Sequence, residues 1–167
     1  MQIRFEHPAD IAAIHAVDAS AFAGSAEADL VDRLRGQVSP LVSLIAEDGR
    51  SIVGHILFSP VTLTGHADVK IMGLAPMAVS PAHQRLGIGS MLARAGLEEC
   101  RTLGFDAVVV LGHPKYYPRF GFQPASRFAL GCEYDVPDDA FMTLELKPGS
   151  LMGKRGTIRY HAAFAGV

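Results

Sequence analysis

The chain has 167 residues, 49% of them hydrophobic, and a formal net charge of −2 at pH 7. That length supports a substantial core in a single domain over 1–167, and the apolar content excludes a disordered chain. The charge gives no general pull toward nucleic acid or anionic lipid, and no apolar run nears the roughly 20 residues of a membrane helix.

Residues 3–6 read as a first strand, and His7-Pro8-Ala9-Asp10 as a turn into a helix from Ile11 to about Phe22. Glu6, His7 and Asp10 interrupt what would have to be a signal peptide, so the expected location is cytoplasmic. Ser25 is placed to cap a second helix, with Ala28, Leu30, Val31 and Leu34 as its apolar contacts and Gly36 as its end. Residues 41–47 and 51–59 read as a hairpin around Asp48-Gly49. Residues 71–79 form an apolar strand in which Pro76, lacking an N–H, is expected to break the ladder.

A helix follows, with Ile88, Leu92, Gly96, Cys100 and Leu103 on one face and Ser90, Arg94, Glu98 and Arg101 on the other; Gly104 ends it. Residues 106–111 are the next buried strand, 141–146 a half-buried one and 157–161 a short final one. Between Tyr117 and these last strands, residues 123–139 carry prolines, aromatics and acids, and are expected to shape a substrate mouth. Cys100 on a helix face and Cys132 in a loop read as two reduced thiols, with neither a disulfide nor a metal framework.

The chemistry is concentrated in Val79-Ser80-Pro81-Ala82-His83-Gln84-Arg85-Leu86-Gly87-Ile88-Gly89-Ser90, which joins the apolar strand to the amphipathic helix. The first amides of a helix have no intrahelical acceptor, and the peptide dipoles place partial positive charge at the same end, so an anion is favoured there. Gly87 and Gly89 let the backbone turn sharply and bring N–H groups against phosphate oxygens. No Gly-Lys-Ser/Thr follows, as a Walker loop would require, and Met91 or Leu92 stands where a Rossmann loop has its third glycine.

Gln84-Arg85-Leu86-Gly87-Ile88-Gly89 resembles the Gln/Arg-x-x-Gly-x-Gly/Ala cofactor motif of the GNAT superfamily, the acyl-CoA-dependent N-acyltransferases. Tyr116-Tyr117-Pro118-Arg119-Phe120-Gly121-Phe122 is similar to that family's late Tyr-x-x-x-Gly-Phe segment. The resemblance runs from residue 3 to about residue 146, and Val110-Leu111-Gly112-His113-Pro114-Lys115-Tyr116-Tyr117 is similar to the YhbS-type subgroup. One departure stands out: an acidic residue is common in that subgroup where His113 stands here.

The resemblance implies a mixed α/β fold, with a mainly antiparallel central sheet flanked by helices and a splayed-strand acyl-CoA cleft. It implies acetyl-CoA as acyl donor, no metal, and a primary amine of a small molecule or protein as acceptor, in a monomer or homodimer. Cofactor contacts are expected from Met77, Ala78 and Val79 on the strand and from Gln84, Arg85, Leu86, Gly87, Ile88, Gly89 and Ser90 in the loop and helix start. Backbone amides around Val79 are suited to face the thioester carbonyl. Tyr117 holds the motif position that protonates the departing thiolate, whereas Tyr116 is structural.

Glu27, Glu47, His55, His113, Glu133 and Asp135 are all chemically capable general bases, and the sequence does not choose among them. His113 reads either as a substrate-facing base or as a turn residue fixed by Pro114. Two other activities would keep the same loop. A noncatalytic acyl-CoA sensor needs no acid at Tyr117, and an O-acyltransferase needs stronger activation of its acceptor.

Overall fold

The computed structural model describes residues 1–167 as a mixed α/β fold of nine strands and three α-helices. In chain order these are β1 (Gln2–Phe5), α1 (Ile11–Phe22), α2 (Ala26–Gln37), β2 (Val42–Asp48), β3 (Ser51–Leu63) and β4 (Ile71–Val79). Then come α3 (Ile88–Thr102), β5 (Ala107–Leu111), β6 (Gln123–Pro124), β7 (Leu130–Cys132), β8 (Phe141–Glu145) and β9 (Gly156–Arg159). Two compact units divide the chain, one of Met1–Ser59, Ala75–Glu99 and Ala162–Val167, the other of Pro60–Leu74 and Cys100–His161. Strands β3 and β4 and helix α3 therefore each run from one unit into the other.

In the first unit the strand order is β1-β2-β3-β4. Strands β1 and β2 pair antiparallel, as do β2 and β3 across the Gly49 turn, where φ is +65°. The run from Val42 to Ala46, apolar except for Ser43, is buried along β2. Helix α2 buries Leu30, Val31 and Leu34 against Leu57 of β3, and Phe164 packs on the same cluster. Each such aliphatic side chain contributes roughly 1.5–3 kcal/mol by leaving water. Helix α3 lies so close to β3 that a Cβ on Gly96 would stand 2.2 Å from the Phe58 ring.

In the second unit the order is β3-β4-β5-β8-β6. Strands β4 and β5 pair parallel from Ile71↔Ala107 to Leu74↔Val110, and β8 pairs antiparallel with both β5 and β6. The parallel ladder stops two residues short of Pro76, in accord with the break expected there. Strand β9 pairs antiparallel with the end of β3 and parallel with β7. Val61, Leu63, Ile71, Val109, Phe141 and Ile158 form the buried centre of this unit.

Several local expectations are corrected. Helix α2 continues through Gly36 to Gln37, and Ser25 stands at its start without making a side-chain cap bond. Helix α3 ends at Thr102, which leaves Leu103 at 49% exposure instead of on the apolar face. Cys132 closes strand β7 instead of lying in a loop, because β9 offers it a partner edge. Strand β9 ends at Arg159, two residues before His161.

Candidate active site

Ten of the eleven expected site residues lie together in the first unit, on β4, the following loop and the first turn of α3. Met77, Ala78 and Val79 are the last three residues of β4, with Ala78 buried. The strand end is fixed by the Ser80 N–H, which donates to the Val53 carbonyl at 2.8 Å. A short 3-10 turn, Pro81–His83, then reverses the chain, with Ser80 Oγ 2.8 Å from His83 Nδ1.

Gln84, Arg85, Leu86 and Gly87 make the loop itself. The Gln84 side-chain amide donates to the Val79 carbonyl at 3.0 Å, so this residue closes the loop on the strand. Arg85 has φ +64° and Gly87 φ +84°. Left-handed residues interspersed along a loop turn successive N–H groups toward one concavity, the arrangement that binds anions. For Gly87 that conformation is free of Cβ strain, whereas Arg85 holds it at a cost of about 1–2 kcal/mol. A strained residue in an anion-binding loop is one that the surrounding structure over-determines.

Helix α3 opens at Ile88, which is buried, and the Met91 N–H donates to the Gly87 carbonyl at 3.1 Å. Gly89 and Ser90 lie in that first turn. Arg85, Leu86 and Gly87 are exposed, Leu86 at 68%, so this stretch of backbone is accessible to a ligand. Its donor set is backbone amide plus one guanidinium, which fits a pyrophosphate.

Tyr117 belongs to the second unit and opens a short 3-10 turn, Tyr117–Phe120. Its ring meets Tyr116 edge-on at 5.1 Å and Phe122 at 5.8 Å. Gly112, just past β5, makes room for it: a Cβ there would stand 2.3 Å from the Tyr117 ring. Tyr117 is 8% exposed, and burial, with a smaller push from Tyr116, raises its phenol to about 12. Tyr116 stacks under the Arg119 guanidinium at 4.1 Å, a structural contact as expected.

The candidate bases separate. His55 is fully buried, its Nδ1 3.1 Å from Asp18 and its Nε2 2.9 Å from the Ser43 hydroxyl oxygen. Ser43 also bonds the Glu6 carboxylate, which accepts Arg35 Nε at 2.8 Å. That enclosed chain makes His55 a structural group, not a base open to an acceptor. Glu47 accepts from Arg4 at 2.8 Å, and His113 Nδ1 accepts the Lys115 N–H at 3.3 Å, the turn role. Glu27 stands in the first turn of α2, and Glu133 and Asp135 lie between β7 and β8.

Asp18 and Ser43 were missed from sequence. The available signal was Asp18 on the buried stripe of α1, with Ile14 and Val17. An unpaired carboxylate there would be costly, so a partner had to exist.

The acetyltransferase (GNAT) family model matches residues 11–122. The chain is 36% identical to the uncharacterised N-acetyltransferase YhbS of Escherichia coli strain K12, over 98% of both chains. It is 40% identical to YjhQ of the same strain, another uncharacterised N-acetyltransferase, over 86% of this chain and 84% of that one. The crystal structure of Escherichia coli YhbS in complex with CoA matches 98% of this chain and 91% of that one, with a TM-score of 0.91. A GNAT family acetyltransferase from Brucella melitensis, solved with acetyl-CoA, is 36% identical and matches 98% of this chain and 97% of its own, with a TM-score of 0.80.

Proposed function

The chain belongs to the GNAT acetyltransferase family, and from that membership we propose that it transfers the acetyl group of acetyl-CoA directly to a primary amine of a small molecule or protein. The observation that carries the cofactor assignment is the pair of left-handed residues, Arg85 and Gly87, immediately before α3. The matching relatives solved with CoA and acetyl-CoA support the same assignment. The family match runs through segments of both units, which supports one functional domain over 1–167.

Acetyl-CoA supplies an activated thioester. The amides from Gln84 to Ser90 bind its pyrophosphate, and the main chain of Met77, Ala78 and Val79 holds the acyl end, with a Val79-region amide facing the carbonyl oxygen as it gains charge. Holding amine and thioester in register lowers the barrier by several kcal/mol, about 7–11 in favourable models.

Tyr117 donates a hydrogen bond to the leaving sulfur. With its phenol near 12 it is fully protonated across the neutral range. A free thiol titrates near about 8.5, so complete transfer from such a phenol is uphill. What Tyr117 offers through the transition state is a donated hydrogen bond that strengthens as sulfur becomes anionic. Release of free CoA in the presence of an amine panel tests the activity, and Tyr117→Phe tests the role. The variant should lose about 10²–10⁴-fold in kcat and keep its CoA affinity. Wild-type turnover with chemistry rate-limiting would assign the proton to water or substrate.

The compartment is proposed to be cytoplasmic. No helix is long and apolar enough to cross a membrane, and Cys100 and Cys132 are free thiols, in keeping with a reducing setting. The active species is a monomer or homodimer.

A further inference from the structure

A pocket of about 430 Å³ opens in the second unit, among residues 125–141. Its size falls in the range of small-molecule sites, about 300–1,000 Å³. Val136 and Phe141 supply apolar wall, and the Tyr134 ring stands at its edge at 37% exposure. Glu133, Asp135 and Asp138 supply three carboxylates, and no Lys or Arg lines the space.

Two of the carboxylates are oriented by the protein. The Tyr160 N–H donates to Glu133 at 2.8 Å, and the Ser126 hydroxyl donates to Asp138 at 3.2 Å. Asp138 keeps a second oxygen for another donor, and Glu133, which also hydrogen-bonds the Tyr134 hydroxyl, retains lone pairs for one. Arg159 lies 4.0 Å from the other Glu133 oxygen, an ion-pair distance, with its side chain 62% exposed, so a ligand ammonium has to share this carboxylate with a solvated guanidinium. Asp135 is exposed. The negative field is felt by neighbouring groups: burial first, and Glu133 second, hold the Tyr134 phenol above its ordinary range.

We propose that this pocket binds an organic ammonium ion carrying an apolar or aromatic body. The ammonium is recognised by Glu133, Asp135 and the Tyr134 ring, whose centroid lies 5.8 Å from that of Tyr160, since an aromatic face and carboxylates attract the same charge. The body lies on Val136 and Phe141, where burial of carbon outweighs loss of water contact. Anionic and neutral isosteres are selected against, the first by repulsion and the second by lacking the charge. The amine acceptor proposed above has this chemistry. Identifying the pocket's ligand with that acceptor rests on the transfer reading, whereas binding itself does not.

The experiment is calorimetry on the full chain, at low salt and without acetyl-CoA, with tyramine and hexylamine as probes and 2-(4-hydroxyphenyl)ethanol as the neutral isostere of tyramine. At least one amine should bind, the isostere about tenfold more weakly or not at all, and added salt should weaken the amine alone. Glu133→Gln, which retains an acceptor for the Tyr160 N–H, and Asp135→Asn should each weaken amine binding about two- to fivefold in a protein with wild-type circular dichroism. Absence of binding by both amines, equal binding of tyramine and its isostere, or unaltered affinity in both variants would overturn the pocket assignment.

Addition of acetyl-CoA to the bound amine separates the sources. N-acetylated product, lost in parallel with binding in the variants, identifies the ligand with the acceptor. A bound amine that stays unmodified while another amine in the panel is acetylated makes the pocket a separate ligand site. A protein that binds tyramine but acetylates no amine refutes the transfer reading and leaves the pocket standing.

Discussion

Gly112→Ala is the most direct structural probe of the proposed role of Tyr117, because it touches the ring without touching its hydroxyl. A Cβ at residue 112 would lie 2.3 Å from one Tyr117 ring carbon and 2.9 Å from the next. Carbon contacts settle at about 3.5–4.0 Å, so the ring has to retreat by about 1 Å or swing away. Tyr116 and Phe122 brace it edge-on, which makes the displacement one of the whole aromatic group. Overpacking of this kind costs about 1–3 kcal/mol, within the ~5–15 kcal/mol of a typical domain, so the variant should fold. A reacting group misplaced by about 1 Å loses about 10²-fold in rate. The assay is single-turnover release of CoA, with CoA affinity measured alongside and expected to hold. In a Tyr117→Phe background no hydroxyl remains to be misplaced, so Gly112→Ala should add little, and the two losses should be strongly non-additive. Wild-type rates in a folded Gly112→Ala protein, or losses that multiply in the double variant, would refute the reasoning.

Three further outcomes are expected. Gly87→Val, at φ +84°, should raise the Kd for CoA measured by calorimetry at least tenfold while the domain stays folded; unchanged affinity would make the loop a turn and nothing more. His55→Ala strands the Asp18 carboxylate in the core and should cost about 3–5 kcal/mol in urea unfolding, whereas Asp18→Ala combined with His55→Ala should cost much less than the two singles added. The hydrogen bond from Arg4 holds the Asp10 carboxyl down at about 2, against 3.8 when free. Stability from this pair is therefore complete above about pH 4 and fades as the pH falls toward 2. Asp10→Asn should flatten the acid limb of a melting-temperature profile, and an unaltered limb would dismiss the pair.

The strand, loop and helix that make up most of the candidate site were legible because they are contiguous and each rests on local chemistry. The bounds of α1 and β4 match the reading to the residue, since period and turn residues act over a few positions. The left-handed Gly87 was legible for the same reason, but the left-handed Arg85 was not, because nothing local favours it there. Gln84 was expected among the cofactor contacts, and the closure of the loop by its side-chain amide on the Val79 carbonyl at 3.0 Å was not read from the sequence. The Asp18–His55–Ser43 cluster joins residues from α1, β3 and β2, and no periodicity reports such a meeting. Similarly, the pairing of β7 with β9 brings residue 130 to residue 156, a register set by tertiary contact instead of propensity. The fold class was legible through the family motifs, as were β8 and β9 within a residue or two; the short strands β6 and β7 were not.

The return of Ala162–Val167 to the first unit bears on how the protein is made. Arg33 of α2 donates to the Ala163 carbonyl at 3.3 Å, 130 residues later in the chain, and Phe164 packs on the cluster of Leu30, Val31, Leu34 and Leu57. On the ribosome, synthesis proceeds from the N-terminus at about 5–20 residues per second. The apolar stripe of α2 therefore emerges well before its cover exists, and for that interval it is a natural surface for a chaperone to hold.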